Sequence, residues 1–225
     1  MKRLAYRLSL ISVLALLSST PALASSTHSG WRMDQNAALA FRGDAILRPG
    51  YAWDNPFCLR YHSKRPNLLI IGDSIFDGWS GYLLHVFPRA IIDARVGRQF
   101  SAGISQYRWL LQYPGVRAIR TVVVELGTNG AVTANQVAAF MRLAGPERRV
   151  ILVVPEVPRP WESEVQHLYE SLPAQYPNID LVYWNRISAR GGKEIAAYYW
   201  RGGVHPNWLG IQALVNGLRQ VVADE

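Results

Sequence analysis

From Leu68 onward the apolar and polar positions fall into a regular pattern. Leu68, Leu69, Ile70 and Ile71 form an unbroken aliphatic run that ends in Gly72, Asp73 and Ser74. Four large aliphatic residues without alternation suit a strand buried on both faces, and the glycine permits a tight turn at its carboxyl end. Further apolar runs at Ala90 to Ile92, Thr121 to Leu126, Val150 to Val154 and Leu181 to Trp184 also read as strands. The spans between them are long enough for crossover helices, so the chain alternates β and α elements. This predicts an α/β fold, a three-layer α/β/α sandwich around a central, mostly parallel sheet of five strands.

Two helices carry end signals. Thr133 and Gln136 are spaced as a capping box ahead of Val137, Ala138, Phe140 and Met141, and Gly145 stands where that helix should stop. The last helix is predicted to begin near Asn207, with Leu214, Leu218, Val221 and Val222 as its apolar stripe. Residues 25 to 65 lack such periodicity and contain turn-formers such as Arg48-Pro49-Gly50 and Asp54-Asn55-Pro56. They read as an extension packed on the domain of residues 66 to 225. Its Trp31, Tyr51, Trp53, Phe57 and Tyr61 suit either the core or a sugar-binding cleft.

The amino terminus changes the expected location. A positive start at Met1-Lys2-Arg3, an apolar stretch from Leu8 to Leu17 and the small-x-small signature Ala22-Leu23-Ala24 make residues 1 to 24 a secretory signal. The stretch is short for an ordinary membrane span, so the mature chain is expected to have no transmembrane helix and to be periplasmic or secreted. The formal charge of +8 includes Lys2, Arg3 and Arg7 of that segment, and the remaining basic residues are scattered. No basic helix in a DNA-binding frame is visible, which argues against a nucleic-acid partner. Cys58 is the only cysteine, so no internal disulfide forms. The five histidines and the cysteine make no ligand-spaced cluster, and no metal or cofactor is expected.

Candidate chemistry lies at the strand ends. Ser74 follows the first predicted strand, Gly97 the second and Asn129 the third, and His205 precedes the last helix. A serine nucleophile needs a base, which His205 can be, and donors for a developing oxyanion. The Ser74 and Gly97 backbone N–H groups and the Asn129 amide can be those donors. Each also has a plainer reading: a turn glycine, a turn asparagine, a serine capping a helix, and a helix-start histidine satisfied by backbone.

Taken together, these blocks resemble the SGNH (GDSL-type) esterase and acyltransferase superfamily over roughly residues 66 to 223. Position 76 is phenylalanine, so there is no G-x-S-x-G elbow. Ile70-Ile71-Gly72-Asp73-Ser74, Asp93-Ala94-Arg95-Val96-Gly97-Arg98-Gln99, Val123-Val124-Glu125-Leu126-Gly127-Thr128-Asn129-Gly130 and Val157-Pro158-Arg159 look like the extracellular catalytic domain of bacterial peptidoglycan O-acetyltransferases. The resemblance implies a flavodoxin-like sheet, catalytic Ser74 and His205, and an oxyanion hole of Ser74, Gly97 and Asn129. Arg98 and Arg159 become substrate-binding candidates. It also implies an acyl donor and a carbohydrate substrate, peptidoglycan or another polysaccharide. The chain is separately expected to be a monomer. The expected activity is that of an exported serine esterase or O-acyltransferase acting on small acyl, chiefly acetyl, esters. The alternative is a weak or inactive relative that binds cell-wall glycan.

One position departs from the family pattern. An aspartate three residues before the histidine orients the imidazole, and here that position is Gly202. Asp54, Glu156 and Glu194 are candidate replacements.

Overall fold

The computed structural model describes residues 59–61, 63, 65–189 and 197–223. The leader segment, Cys58, Asp54, Glu194 and the aromatics Trp31, Tyr51, Trp53 and Phe57 lie outside the described residues.

Within them, strands and helices alternate as the apolar pattern predicts. The order is β1 (Leu59–Tyr61), β2 (Leu68–Gly72), α1 (Ser74–Gly78), α2 (Ser80–Val86), β3 (Ala90–Ala94), α3 (Phe100–Leu110) and α4 (Pro114–Arg117). It continues with β4 (Thr121–Glu125), α5 (Ala134–Ala144), β5 (Arg149–Val153), α6 (Glu162–Ser171), β6 (Ile179–Val182), α7 (Trp184–Ala189) and α8 (Trp208–Ala223). The sheet order is β1-β3-β2-β4-β5-β6. Strands β2 to β6 are mutually parallel, and β1 is antiparallel to β3, with Leu59 opposite Asp93 and Tyr61 opposite Ile91.

The sheet therefore has six strands where the periodicity predicts five. The added edge strand is three residues long, too short for alternation to announce it. Its Tyr61 is 2% exposed and belongs to the core rather than to a cleft.

Alternate residues of the strands enter two separate cores. Leu69, Ile71, Val122, Val124, Val150 and Leu152 face one way, against Phe100, Tyr107, Val137, Phe140 and Tyr169 of α3, α5 and α6. Leu68, Ile70, Val123, Ile151 and Val153 face the other, against Phe76 and Leu83 of α1 and α2 and Ile211, Leu214 and Leu218 of α8. Two-sided burial explains why β2 and β4 read as continuous apolar runs. Burying each such aliphatic side chain contributes about 1.5–3 kcal/mol.

The helix signals are realised in the structure. Thr133 accepts from the Gln136 N–H at 3.3 Å while the Gln136 side chain accepts from the Thr133 N–H at 2.9 Å, and α5 ends at Gly145 with φ 71°. Asn207 accepts from the Gly210 N–H at 3.1 Å at the head of α8. All the carboxyl ends of the parallel strands open on one edge, where ligands bind in open α/β sheets.

Candidate active site

Ser74 is the first residue of α1, directly beyond the carboxyl end of β2. The residue that caps this helix is Asp73, whose Oδ1 accepts the Ile75 N–H at 2.9 Å, so the Ser74 hydroxyl is not used as a cap. It meets His205 instead, with Oγ 2.9 Å from Nε2. His205 is 131 residues away in sequence and is delivered by a small antiparallel loop. In that loop the Trp200 N–H donates to the His205 carbonyl at 3.0 Å and the Asn207 N–H to Tyr198 O at 2.8 Å. The Trp79 indole donates to Pro206 O at 3.2 Å, tying the loop to the end of α1. With the Nδ1 proton in place, Nε2 accepts from the serine hydroxyl, the arrangement a base requires.

The other two predicted residues converge on the same edge. Gly97 sits at φ 73° in the turn after β3, a conformation natural to glycine. That turn is joined to β2 by the Arg95 N–H, which donates to Gly72 O at 3.2 Å. Gln99 donates to Asn129 O at 3.3 Å, joining the turn to the loop that follows β4. This loop is held from outside by Trp161 Nε1 on Gly127 O, 3.1 Å, and by Tyr169 on Leu126 O, 2.8 Å. Asn129 Nδ2 donates to Asp73 Oδ2 at 2.9 Å, which leaves its second N–H for a ligand.

Arg98, a substrate-binding candidate, is placed inside the domain rather than on the edge. Its side chain is 5% exposed and turned inward, donating to Gly72 O at 3.2 Å, to Asp93 O at 2.6 Å and to the Asp93 carboxylate. The buried Asp93 charge and the carbonyls at the strand ends draw the guanidinium in. Arg159 is exposed, beside Pro158 at the rim of the edge.

The position before the histidine stays empty of a carboxylate. Among the described residues none is hydrogen-bonded to His205 Nδ1. Gly202 has φ 106° and open space where a Cβ would stand. Glu156, one of the candidate replacements, accepts from Gln166 at 3.4 Å and is not hydrogen-bonded to His205; burial with the nearby Glu162 charge raises its pKa. Glu156, Glu162, Tyr199, Trp200 and Gly202 line a cavity of about 490 Å³ beside the histidine loop. Trp200 is 60% exposed on it.

Two buried acids inside the motif blocks were given no role by the motif reading. Asp73 and Glu125 are 0% and 4% exposed, and their carboxyls are hydrogen-bonded to each other behind Ser74. Burial raises both, and Glu125 is raised further by the Asp73 charge. The one available signal was Glu125 itself, an acid closing an otherwise aliphatic strand. Among the described residues no three His, Cys, Asp or Glu side chains stand together as a metal cluster.

A serine on the first turn of a helix at the edge of a parallel sheet, met by a histidine from the last loop, defines the SGNH (GDSL-type) hydrolase fold. Solved structures share it. The *Streptococcus pneumoniae* peptidoglycan O-acetyltransferase A (OatA) C-terminal catalytic domain, determined with a methylsulfonyl adduct, superposes with TM-score 0.61 at 17% identity, over 70% of this chain and 93% of that one. A GDSL-like lipase from *Bacteroides thetaiotaomicron* gives 0.57 at 20% identity, over 71% and 89%. By sequence the chain is homologous to the OatA O-acetyltransferases: it is 34% identical over 157 residues to O-acetyltransferase OatA of *Staphylococcus aureus*, which is 68% of this chain. It spans about a quarter, 24%, of that relative's length. No protein-family model matches the chain.

Proposed function

We propose that this chain is an exported serine esterase or O-acyltransferase that moves small acyl groups, acetyl above all, on envelope carbohydrate such as peptidoglycan. The observation that carries the reading is the 2.9 Å contact between Ser74 Oγ and His205 Nε2, beside the Asn129 amide. In the first step His205 takes the hydroxyl proton while Ser74 Oγ attacks the ester carbonyl. The carbonyl oxygen becomes an oxyanion, stabilised by the Ser74 and Gly97 N–H groups and Asn129 Nδ2. Collapse expels the alcohol, which leaves with the proton from His205, and an acyl-serine remains. A water molecule or a sugar hydroxyl then gives its proton to His205 and attacks the acyl carbonyl, restoring Ser74.

Gly202 brings no carboxylate to Nδ1, and among the described residues the reading is therefore of a Ser74–His205 dyad. Loss of that carboxylate costs about 10⁴ in turnover in serine hydrolases, so the enzyme is expected to be slow. The choice of carbohydrate is supported by the homology to O-acetyltransferases and by the cavity beside the histidine loop, lined in part by the exposed Trp200. Export is supported by the leader-like residues 1 to 24.

The test is direct. Ser74→Ala should abolish p-nitrophenyl acetate turnover and labelling by a fluorophosphonate, and equal hydrolysis by variant and wild type would refute the nucleophile. With an acetyl donor present, chitooligosaccharide or muropeptide acceptors should accelerate donor consumption and yield acetylated sugar by mass spectrometry. Free acetate alone at every acceptor concentration would make the chain a hydrolase.

A further inference from the structure

Directly behind the nucleophile two carboxyl groups are buried in contact, and what surrounds them is hydrogen-bond donors. Asp73 Oδ1 accepts from the Ile75 N–H at 2.9 Å and Oδ2 from Asn129 Nδ2 at 2.9 Å, and its carboxyl is also bonded to the Thr128 side chain and to Glu125. The Ile75 N–H, the Asn129 amide and the Thr128 hydroxyl are three donors to Asp73, which leaves an ionised carboxylate capacity for one more, at Glu125. Glu125 accepts from the Asp73 N–H at 3.1 Å and from the Phe76 N–H, so its remaining partner is the Asp73 carboxylate. A second carboxylate there would place two negative charges in contact in a medium that cannot screen them.

We propose that Glu125 is a positioning residue of the oxyanion hole: as a neutral acid it donates its proton to Asp73, and the Asp73 carboxylate so held fixes the Asn129 amide, leaving the second Asn129 N–H for the reacting oxygen. Gly72 makes the arrangement possible, since a Cβ there would stand 3.1 Å from Glu125 Oε2. The order of the two acidities agrees. Burial raises both carboxyls and the Asp73 charge raises Glu125 further, the direction expected of a pair that keeps one proton between its members. The other titratable group that feels the pair is Tyr169 of α6, whose hydroxyl is raised further by both carboxyls; Arg98 and His205 engage Gly72 O and Ser74 Oγ next to it.

The role in turnover rests on the serine-ester chemistry proposed above, whereas the proton does not. Glu125→Gln keeps a neutral group that both donates and accepts, and should hold kcat for p-nitrophenyl acetate within about threefold. Glu125→Leu keeps volume but offers no donor, and should lower kcat tenfold or more with KM little changed.

Proton linkage gives an independent readout. The folded wild type keeps a proton that the unfolded chain releases above its ordinary glutamate range, so its stability falls as pH rises until the folded-state value is reached. Glu125→Gln has no such proton, and its unfolding midpoint should gain on the wild type steadily from pH 5 to pH 9. A gap that stays constant with pH, or a Gln variant as slow as the Leu variant, overturns the proposal. If Glu125→Leu fails to fold, the Gln variant decides alone by the same two criteria. A wild type without ester turnover refutes the serine-ester reading and with it the role in turnover, while the widening gap still reports the shared proton.

Discussion

A Cβ at Gly72 would stand 2.8 Å from the Phe76 Cβ, so the glycine that ends β2 is there for space. Sequence reasoning assigns it to a tight turn, yet its φ is not among the positive ones, and what it admits is a close approach of α1 and the Glu125 carboxyl. Gly202 is the opposite case. Nothing lies within 4 Å of its would-be Cβ, but φ is 106°, where a side chain is strained whatever the room. Restoring a carboxylate here tests the dyad. Gly202→Asp should raise kcat tenfold or more, about 1.4 kcal/mol or more of barrier, while the unfavourable φ costs about 1–3 kcal/mol of stability. Circular dichroism beside the kinetics separates the two effects. A folded variant with unchanged turnover would mean that Nδ1 already has its orienting partner.

At the scale of elements, the turn from Ala94 to Gln99 shows how one buried cation organises a strand end. The Arg98 guanidinium bridges β3 and β2 through Asp93 and the Gly72 carbonyl, while Gln106 of α3 donates to the other Asp93 oxygen at 2.6 Å. Burial still raises the Asp93 pKa despite the adjacent Arg98 charge, so the desolvation cost is not fully repaid. The pair's value is orientation of the Gly97 turn. Arg98→Ala should therefore strand a buried carboxyl, lower stability by about 3–5 kcal/mol in urea unfolding, and depress kcat by loosening the Gly97 N–H. Urea unfolding within about 1 kcal/mol of wild type would contradict this. Helix ends were legible at this scale because caps are local: Thr133 and Gln136 are three residues apart and satisfy each other's backbone. The inward fold of Arg98 was not legible, because nothing within its own strand or turn says which way a long side chain will point.

For the molecule as a whole, the proposed export makes a prediction at the chain's beginning. The mature protein recovered from an expressing cell should start at Ser25 and fractionate outside the cytoplasm, as amino-terminal sequencing would read. An intact Met1 on membrane-associated protein would refute it.

The domain itself separates what local pattern decides from what only folding decides. Unbroken aliphatic runs and their spacing determined the parallel sheet and its two-sided core, since burial on both faces is a property each strand carries in its own residues. The order of Ser74, Gly97 and Asn129 at successive strand ends, with His205 ahead of the last helix, was likewise readable, because a parallel βα fold brings all carboxyl strand ends to one edge. The contacts within the site belong to the tertiary structure alone. Glu125 meets Asp73 across 52 residues, and His205 meets Ser74 across 131. Whether a proton is shared, whether Arg98 faces inward and whether a carboxylate reaches Nδ1 depend on desolvation and on distances of a few ångströms. Those are set when separate elements close on one another, and no stretch of sequence holds them by itself.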